Sequence, residues 1–85
     1  MAYTILITKR AKKDNETLDT AIRKQLGKKL SYFGSLDDIK TVAKKLEDRD
    51  IGEYRLRVGN YRMIFDLDKK IIIILRIQHR KDVYR

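Results

Sequence analysis

Polar and apolar positions alternate along Tyr54–Val58 (YRLRV) and Tyr61–Leu67 (YRMIFDL), and only Gly59-Asn60 separates the two runs. Such alternation predicts half-buried strands, and a Gly-Asn pair between them predicts a two-residue hairpin. A two-residue turn sets the register: Val58 faces Tyr61, Arg57 faces Arg62, Leu56 faces Met63, Arg55 faces Ile64 and Tyr54 faces Phe65. Directly paired residues share a face. Tyr54, Leu56, Val58, Tyr61, Met63, Phe65 and Leu67 therefore form one apolar surface that must be covered. Arg55, Arg57, Arg62, Ile64 and Asp66 lie on the other. A third strand follows over Ile71–Gln78. A three-residue loop, Asp68-Lys69-Lys70, pairs Leu67 with Ile71, Phe65 with Ile73 and Met63 with Leu75. It adds Ile71, Ile73, Leu75 and Ile77 to the apolar face and sets Arg76 opposite Arg62. A two-residue loop sends Arg76 into the core, which is costly for an unpaired cation, so the longer loop is expected.

The first half of the chain has a different rhythm. Tyr3–Thr8 (YTILIT) is β-branched and alternating, which predicts a strand. Thr8 then stands where a helix N-cap belongs. Leu18, Ile22, Leu26, Leu30 and Phe33 recur at helical spacing, and Asp19 or Thr20 offers a second start, so the segment reads either as one helix or as two broken near Thr17–Thr20. Gly27 interrupts that pattern, which points to close packing. Gly34 suits a helix C′ position, and Ser35-Leu36-Asp37-Asp38 resembles a capping box. Leu36, Ile39, Val42, Ala43 and Leu46 predict a further short helix ending near Glu47, followed by a polar loop over Asp48–Gly52.

The expected architecture is a two-layer α+β fold, β-α-α-β-β-β, in one domain spanning residues 1–85. A four-stranded, mostly antiparallel sheet carries the N-terminal helical pair on its apolar face, and the arginine face is left open. The first strand is expected beside the second at an edge, or paired with the last. Ile64, Ile72 and Ile74 are expected at an apolar end of the open face, either under the C-terminal tail or as a groove for a partner segment.

Charge sharpens this picture. The net charge is +9, and the basic excess is denser in Glu53–Arg85 than before it, which points to nucleic acid, an acidic protein partner, or both. No cysteine is present, so disulfides and cysteine-based zinc sites are excluded and a reducing cytoplasm is compatible. The longest apolar run, Ile71–Leu75, is too short to span a bilayer, the N-terminus lacks the layout of a signal peptide, and no basic amphipathic helix suits a membrane surface. Like charges directly opposite each other on a sheet are destabilising. Arg55, Arg57, Arg62 and Arg76 on one face therefore read as a phosphate-binding set, which the planar donor fork of arginine matches.

The tail, Gln78-His79-Arg80-Lys81-Asp82-Val83-Tyr84-Arg85, carries the only histidine. An RNA 2′-hydroxyl can attack its own 3′-phosphate if a base takes its proton, cations stabilise the developing charge and an acid serves the leaving oxygen. Histidine is the natural base or acid, so His79 is the candidate, with Tyr84 to donate or orient and Lys81 among the phosphate-binding cations. Asp66, Asp68, Asp37 and Asp38 form no ligand cluster with one histidine, so neither a metal nor a cofactor is expected. No glycine-rich phosphate loop, catalytic triad or cysteine nucleophile is visible.

Two segments, GEYRLRVGNYRMIF (residues 52–65) and IQHRKDVYR (residues 77–85), resemble the RelE/ParE toxin superfamily. The resemblance implies a RelE-like toxin of a type II toxin–antitoxin system that cleaves mRNA in the ribosomal A site without metal, leaving a 2′,3′-cyclic phosphate. It implies a cytoplasmic protein whose partners are a cognate acidic antitoxin, the ribosome and mRNA. Arg62 matches the family's central arginine and Tyr84 its tail tyrosine. Arg55 and Arg57 stand where a member of the family has lysines, and either His79 or Arg80 takes the tail catalytic position. The alternative within the superfamily is a ParE-like toxin that inhibits DNA gyrase without cutting nucleic acid. A plain RNA-binding module is disfavoured, because Tyr54, Tyr61 and Phe65 are expected to face the core.

Overall fold

The structure, a computed structural model, describes residues 2–46 and 52–79. The chain begins with β1 (Thr4–Ile7), α1 (Lys9–Glu16) and α2 (Thr20–Ser35). A single 3₁₀ turn over Ile39–Thr41 leads to β2 (Lys44–Lys45), and β3 (Tyr54–Val58), β4 (Tyr61–Asp68) and β5 (Ile71–His79) complete the sheet. The strand order is β1-β5-β4-β3-β2, with β1 parallel to β5 and the other pairs antiparallel. The expected α+β class holds, with one more strand than the pattern indicated. Among the described residues no helix is long and apolar enough to cross a membrane.

The β3–β4 hairpin has the expected register throughout. Only Gly59 of its turn has positive φ, at 59°, the arrangement of a II′ turn with glycine first. Leu56, Val58, Met63 and Phe65 are buried, and pack with Tyr3, Ala11, Leu26, Phe33 and Ile39 from the opposing layer. Thr8 caps α1 as expected, its hydroxyl oxygen accepting from Ala11 N–H at 3.2 Å, and the helical segment breaks between Glu16 and Thr20.

The β4–β5 hairpin corrects the expected register. Its loop is the two residues Lys69-Lys70, with Lys69 at φ 54°. Asp68 pairs with Ile71, Leu67 with Ile72 and Phe65 with Ile74. The register then shifts, so that Ile64 pairs with Arg76, Met63 with Ile77 and Arg62 with Gln78. Leu75 is the extra residue of a β-bulge. The bulge reverses the phase of the strand once, so β5 buries Ile72 and Ile74 before it and Ile77 after it. Arg76 is thereby kept out of the core by the bulge rather than by a longer loop. Ile72 and Ile74 belong to the core, and Ile71, Ile73 and Leu75 do not. Ile64 does face away from the helices, and Gly52 lies over it: a Cβ on Gly52 would collide with Ile64 Cγ2 and come within 3.0 Å of Leu75 Cδ1.

Three further expectations change. The helix over Leu36–Glu47 is absent from its described part, residues 36–46. Asp38 caps only the 3₁₀ turn, accepting from Lys40 N–H at 3.0 Å, and Ile39 N–H donates to the buried Tyr3 hydroxyl at 3.0 Å. The chain then supplies Lys44 and Lys45 to the otherwise unpaired edge of β3, where main-chain hydrogen bonds outweigh the weak helical periodicity. Gly34 sits inside α2 rather than after it, packed against Ile5. Gly27 is exposed with nothing within 4 Å of a Cβ placed on it, so close packing does not explain it.

Beyond Ile7 the edge of β5 passes from β1 to α1. Thr8 N–H and hydroxyl both donate to Ile74 C=O, at 3.1 and 2.9 Å. Six residues on, the Asp14 carboxylate accepts from Ile77 N–H at 3.0 Å and from Arg76 Nε at 2.8 Å. A helix thus satisfies strand groups that the sheet leaves open at this edge.

Candidate nucleic-acid interface

The face of the sheet turned away from the helices is built by the alternation of β2, β3 and β4. Arg57 lies directly opposite Arg62, and Lys44 directly opposite Arg55. Two like-charged cross-strand pairs therefore stand side by side. Each such pair costs from a few tenths to about 1 kcal/mol relative to a neutral one. Arg57 and Lys44 are exposed, and Arg55 and Arg62 are half-buried. Val42, Lys44, Arg55 and Arg57 line a groove on this face. Arg62 Nε donates to Gln78 Oε1 at 3.2 Å, which fixes the plane of the central arginine.

Arg55, Arg57 and Arg62 therefore gather as expected, and Arg76 does not join them. It pairs with Ile64 instead of Arg62. Its guanidinium is engaged by Asp14, through Nε at 2.8 Å and a second nitrogen at 3.4 Å. Lys44 joins the cluster and was missed, because Leu36–Leu46 reads as a helix. The available signal was the β-branched pair Thr41-Val42 running into two lysines, a composition typical of edge strands. Asp66 lies on the same face, but its carboxylate accepts from Glu53 N–H at 2.9 Å.

His79 is placed on the other side of the sheet. Its partner across the ladder is Tyr61, a residue that packs against the core, and the two rings meet edge to face with centroids 4.9 Å apart. Arg62 and His79, which the sequence grouped as one catalytic set, are thus separated by the sheet. Tyr61, expected to be committed to the core, is half-buried and lines a cleft with His79. Arg80, Lys81 and Tyr84 lie outside the described residues. What the described residues of the open face offer is a dense array of hydrogen-bond-donating cations suited to a polyanion.

The model of the ParE toxin of type II toxin–antitoxin systems matches residues 5–84. Among curated relatives, toxin RelE3 of Methanocaldococcus jannaschii is 34% identical over 83 residues, covering 94% of this chain and 93% of the relative. Toxin RelG of Mycobacterium tuberculosis is 33% identical over 89 aligned positions, covering 100% of this chain and 99% of the relative. Among solved structures, a chain of the RelBE2 toxin–antitoxin complex of M. tuberculosis superposes with a TM-score of 0.74 at 27% identity, covering 94% of this chain and all of the other. A chain of the RelE–RelB complex of Pyrococcus horikoshii does so with a TM-score of 0.73 at 26% identity, covering 94% and 97%. The match spans the strand register, the arginine pair and nearly the whole chain, and the protein belongs to the RelE/ParE superfamily of toxins of type II toxin–antitoxin systems.

Proposed function

We infer that this toxin is a ribosome-dependent endoribonuclease that cleaves mRNA by attack of a 2′-hydroxyl on the adjacent phosphate. The observation that carries the reading is the pairing of Arg57 with Arg62 beside that of Arg55 with Lys44 on the outward sheet face. Like charges opposed across strands cost the sheet stability, whereas a phosphodiester chain crossing the strands would be gripped at successive phosphates. Arg62, held by Gln78, stabilises the charge that develops on the phosphoryl oxygens, and Arg55, Arg57 and Lys44 bind the flanking phosphates. The His79 imidazole, on the opposite face, is not assigned the proton transfer. That role falls to Tyr84, while Arg80 adds a charge-stabilising cation and Lys81 a phosphate contact. Such a site binds well but has a weak base, which is why RNA pre-oriented by the ribosome is its substrate. The relatives carry RelE-type toxin names, and the neighbours are toxins in complex with antitoxins. An acidic antitoxin covering this basic face is the matching partner.

The test is cleavage of mRNA on programmed ribosomes, read as new 3′ ends. Arg62→Ala lowers the rate by about 10²-fold or more, the usual effect of removing one preorganised charge-stabilising donor, with its thermal unfolding retained. Near-parental cleavage by Arg62→Ala refutes the site. Intact mRNA together with arrested DNA supercoiling refutes the nuclease reading itself.

A further inference from the structure

At the end of β5 a cleft of about 390 Å³ opens between the strand and the junction of α1 with α2, within the size range of small-ligand sites. Its apolar side is Leu18 and Ile77, its aromatic wall is Tyr61 with His79 set edge-on, and its polar rim is Arg76, Gln78 and Asp14. We propose that this cleft seats one unpaired nucleobase of the bound RNA, stacked on the His79–Tyr61 pair. The proposal rests on the reading of the toxin as a ribonuclease and names a base-binding subsite for it.

The lining selects the occupant. A bare phosphate would meet the Asp14 carboxylate and two rings. An aliphatic side chain would leave the Gln78 amide nitrogen facing it without a partner. A planar heteroaromatic base offers a face for the rings and an edge bearing both donors and acceptors, which the Arg76, Gln78 and Asp14 side chains complement. One residue of the cleft also touches the phosphate-binding face. Gln78 lines the cleft and accepts from Arg62 Nε through Oε1, so its amide nitrogen is the group left to donate to a base edge. One residue thus joins the central arginine to the base seat. A strand lying over Arg57 and Arg62 reaches the cleft by turning one base around the edge of β5. His79 serves this subsite by stacking.

The experiment uses the full-length toxin, programmed ribosomes, and mRNAs carrying one abasic nucleotide at each position of the A-site codon and its two neighbours in turn. For the parent protein, one position lowers cleavage about tenfold, chiefly through KM, in keeping with the loss of one base stack. His79→Ala lowers cleavage of the intact message by a similar factor and abolishes the further effect of that one abasic position, leaving the others as they were. His79→Phe, which keeps a stacking ring and cannot transfer a proton, retains the parental profile. A parental profile in His79→Ala overturns the proposal, and so does a His79→Phe variant as slow as His79→Ala. Weakened antitoxin binding by His79→Ala with an unchanged cleavage profile makes the cleft a protein-docking site and also overturns it. A flat profile in an active parent refutes the base seat alone. A parent that cuts none of the messages refutes the ribonuclease reading beneath it.

Discussion

Removal of the Asp14 carboxylate tests the main structural claim, that α1 holds the outer edge of β5. Asp14 accepts Ile77 N–H at 3.0 Å and Arg76 Nε at 2.8 Å, with a longer contact at 3.4 Å. The side chains are 15% and 31% exposed for Asp14 and Arg76, so solvent screening limits the ion pair to about 1 kcal/mol. Leaving the Ile77 N–H without its acceptor on a half-buried edge costs about 1–2 kcal/mol. Against this, a carboxylate in the last turn of α1 opposes the helix dipole, and its removal returns about 0.3–1 kcal/mol. Asp14→Ala is therefore expected to cost about 2 kcal/mol of a total near 4–13 kcal/mol for a chain of this length. That lowers the melting temperature by about 8–16 °C. Circular dichroism melts and denaturant titrations of the purified toxin measure it. Asp14→Asn keeps an acceptor for Ile77 N–H and loses the charge, so it should fall between Asp14→Ala and the parent. A double-mutant cycle with Arg76→Ala isolates the ion pair, with a coupling of about 0.5–1 kcal/mol. An Asp14→Ala protein melting within about 2 °C of the parent would show that α1 does not hold this edge.

Gly27→Ala should raise stability by up to about 1 kcal/mol, because the position is helical, exposed and free of neighbours for a Cβ; the same melts check it. Gly52→Ala should lower stability by about 1–3 kcal/mol, since the new methyl is forced onto Ile64 and Leu75; an unchanged midpoint would contradict the packing described. Arg57→Ala should change stability by less than about 1 kcal/mol, as expected of an exposed side chain, while mRNA cleavage falls. Destabilisation of Arg57→Ala beyond about 1 kcal/mol would mean that the arginine pair supports the fold rather than a ligand.

Much of the molecule follows from local pattern alone. Alternation and a Gly-Asn turn determine the β3–β4 register, because a one-residue slip would exchange the apolar face for the arginine face. That single constraint places Arg55, Arg57 and Arg62 together. The spacing of Leu18, Ile22, Leu26, Leu30 and Phe33, with Thr8 and Asp19 ahead of helical starts, places α1 and α2. The family was legible too, since its most specific residues lie in this hairpin and the tail. Tertiary structure decided the rest. Leu75 bulges because Arg76 must avoid the core and Asp14 awaits it at the edge, a partner far away in sequence. Residues 36–46 carry helical spacing, yet the Tyr3 hydroxyl and the open edge of β3 take hydrogen-bonding groups that a helix would have used internally. Arg76 keeps the outward face that the pattern assigns it, opposite Ile64, but Asp14 takes its guanidinium. β5 runs on to His79, so alternation turns that ring to the side of Ile77 and Tyr61. The inserted Leu75 and the partner of Arg76 both depend on another element, which no short window of sequence reports.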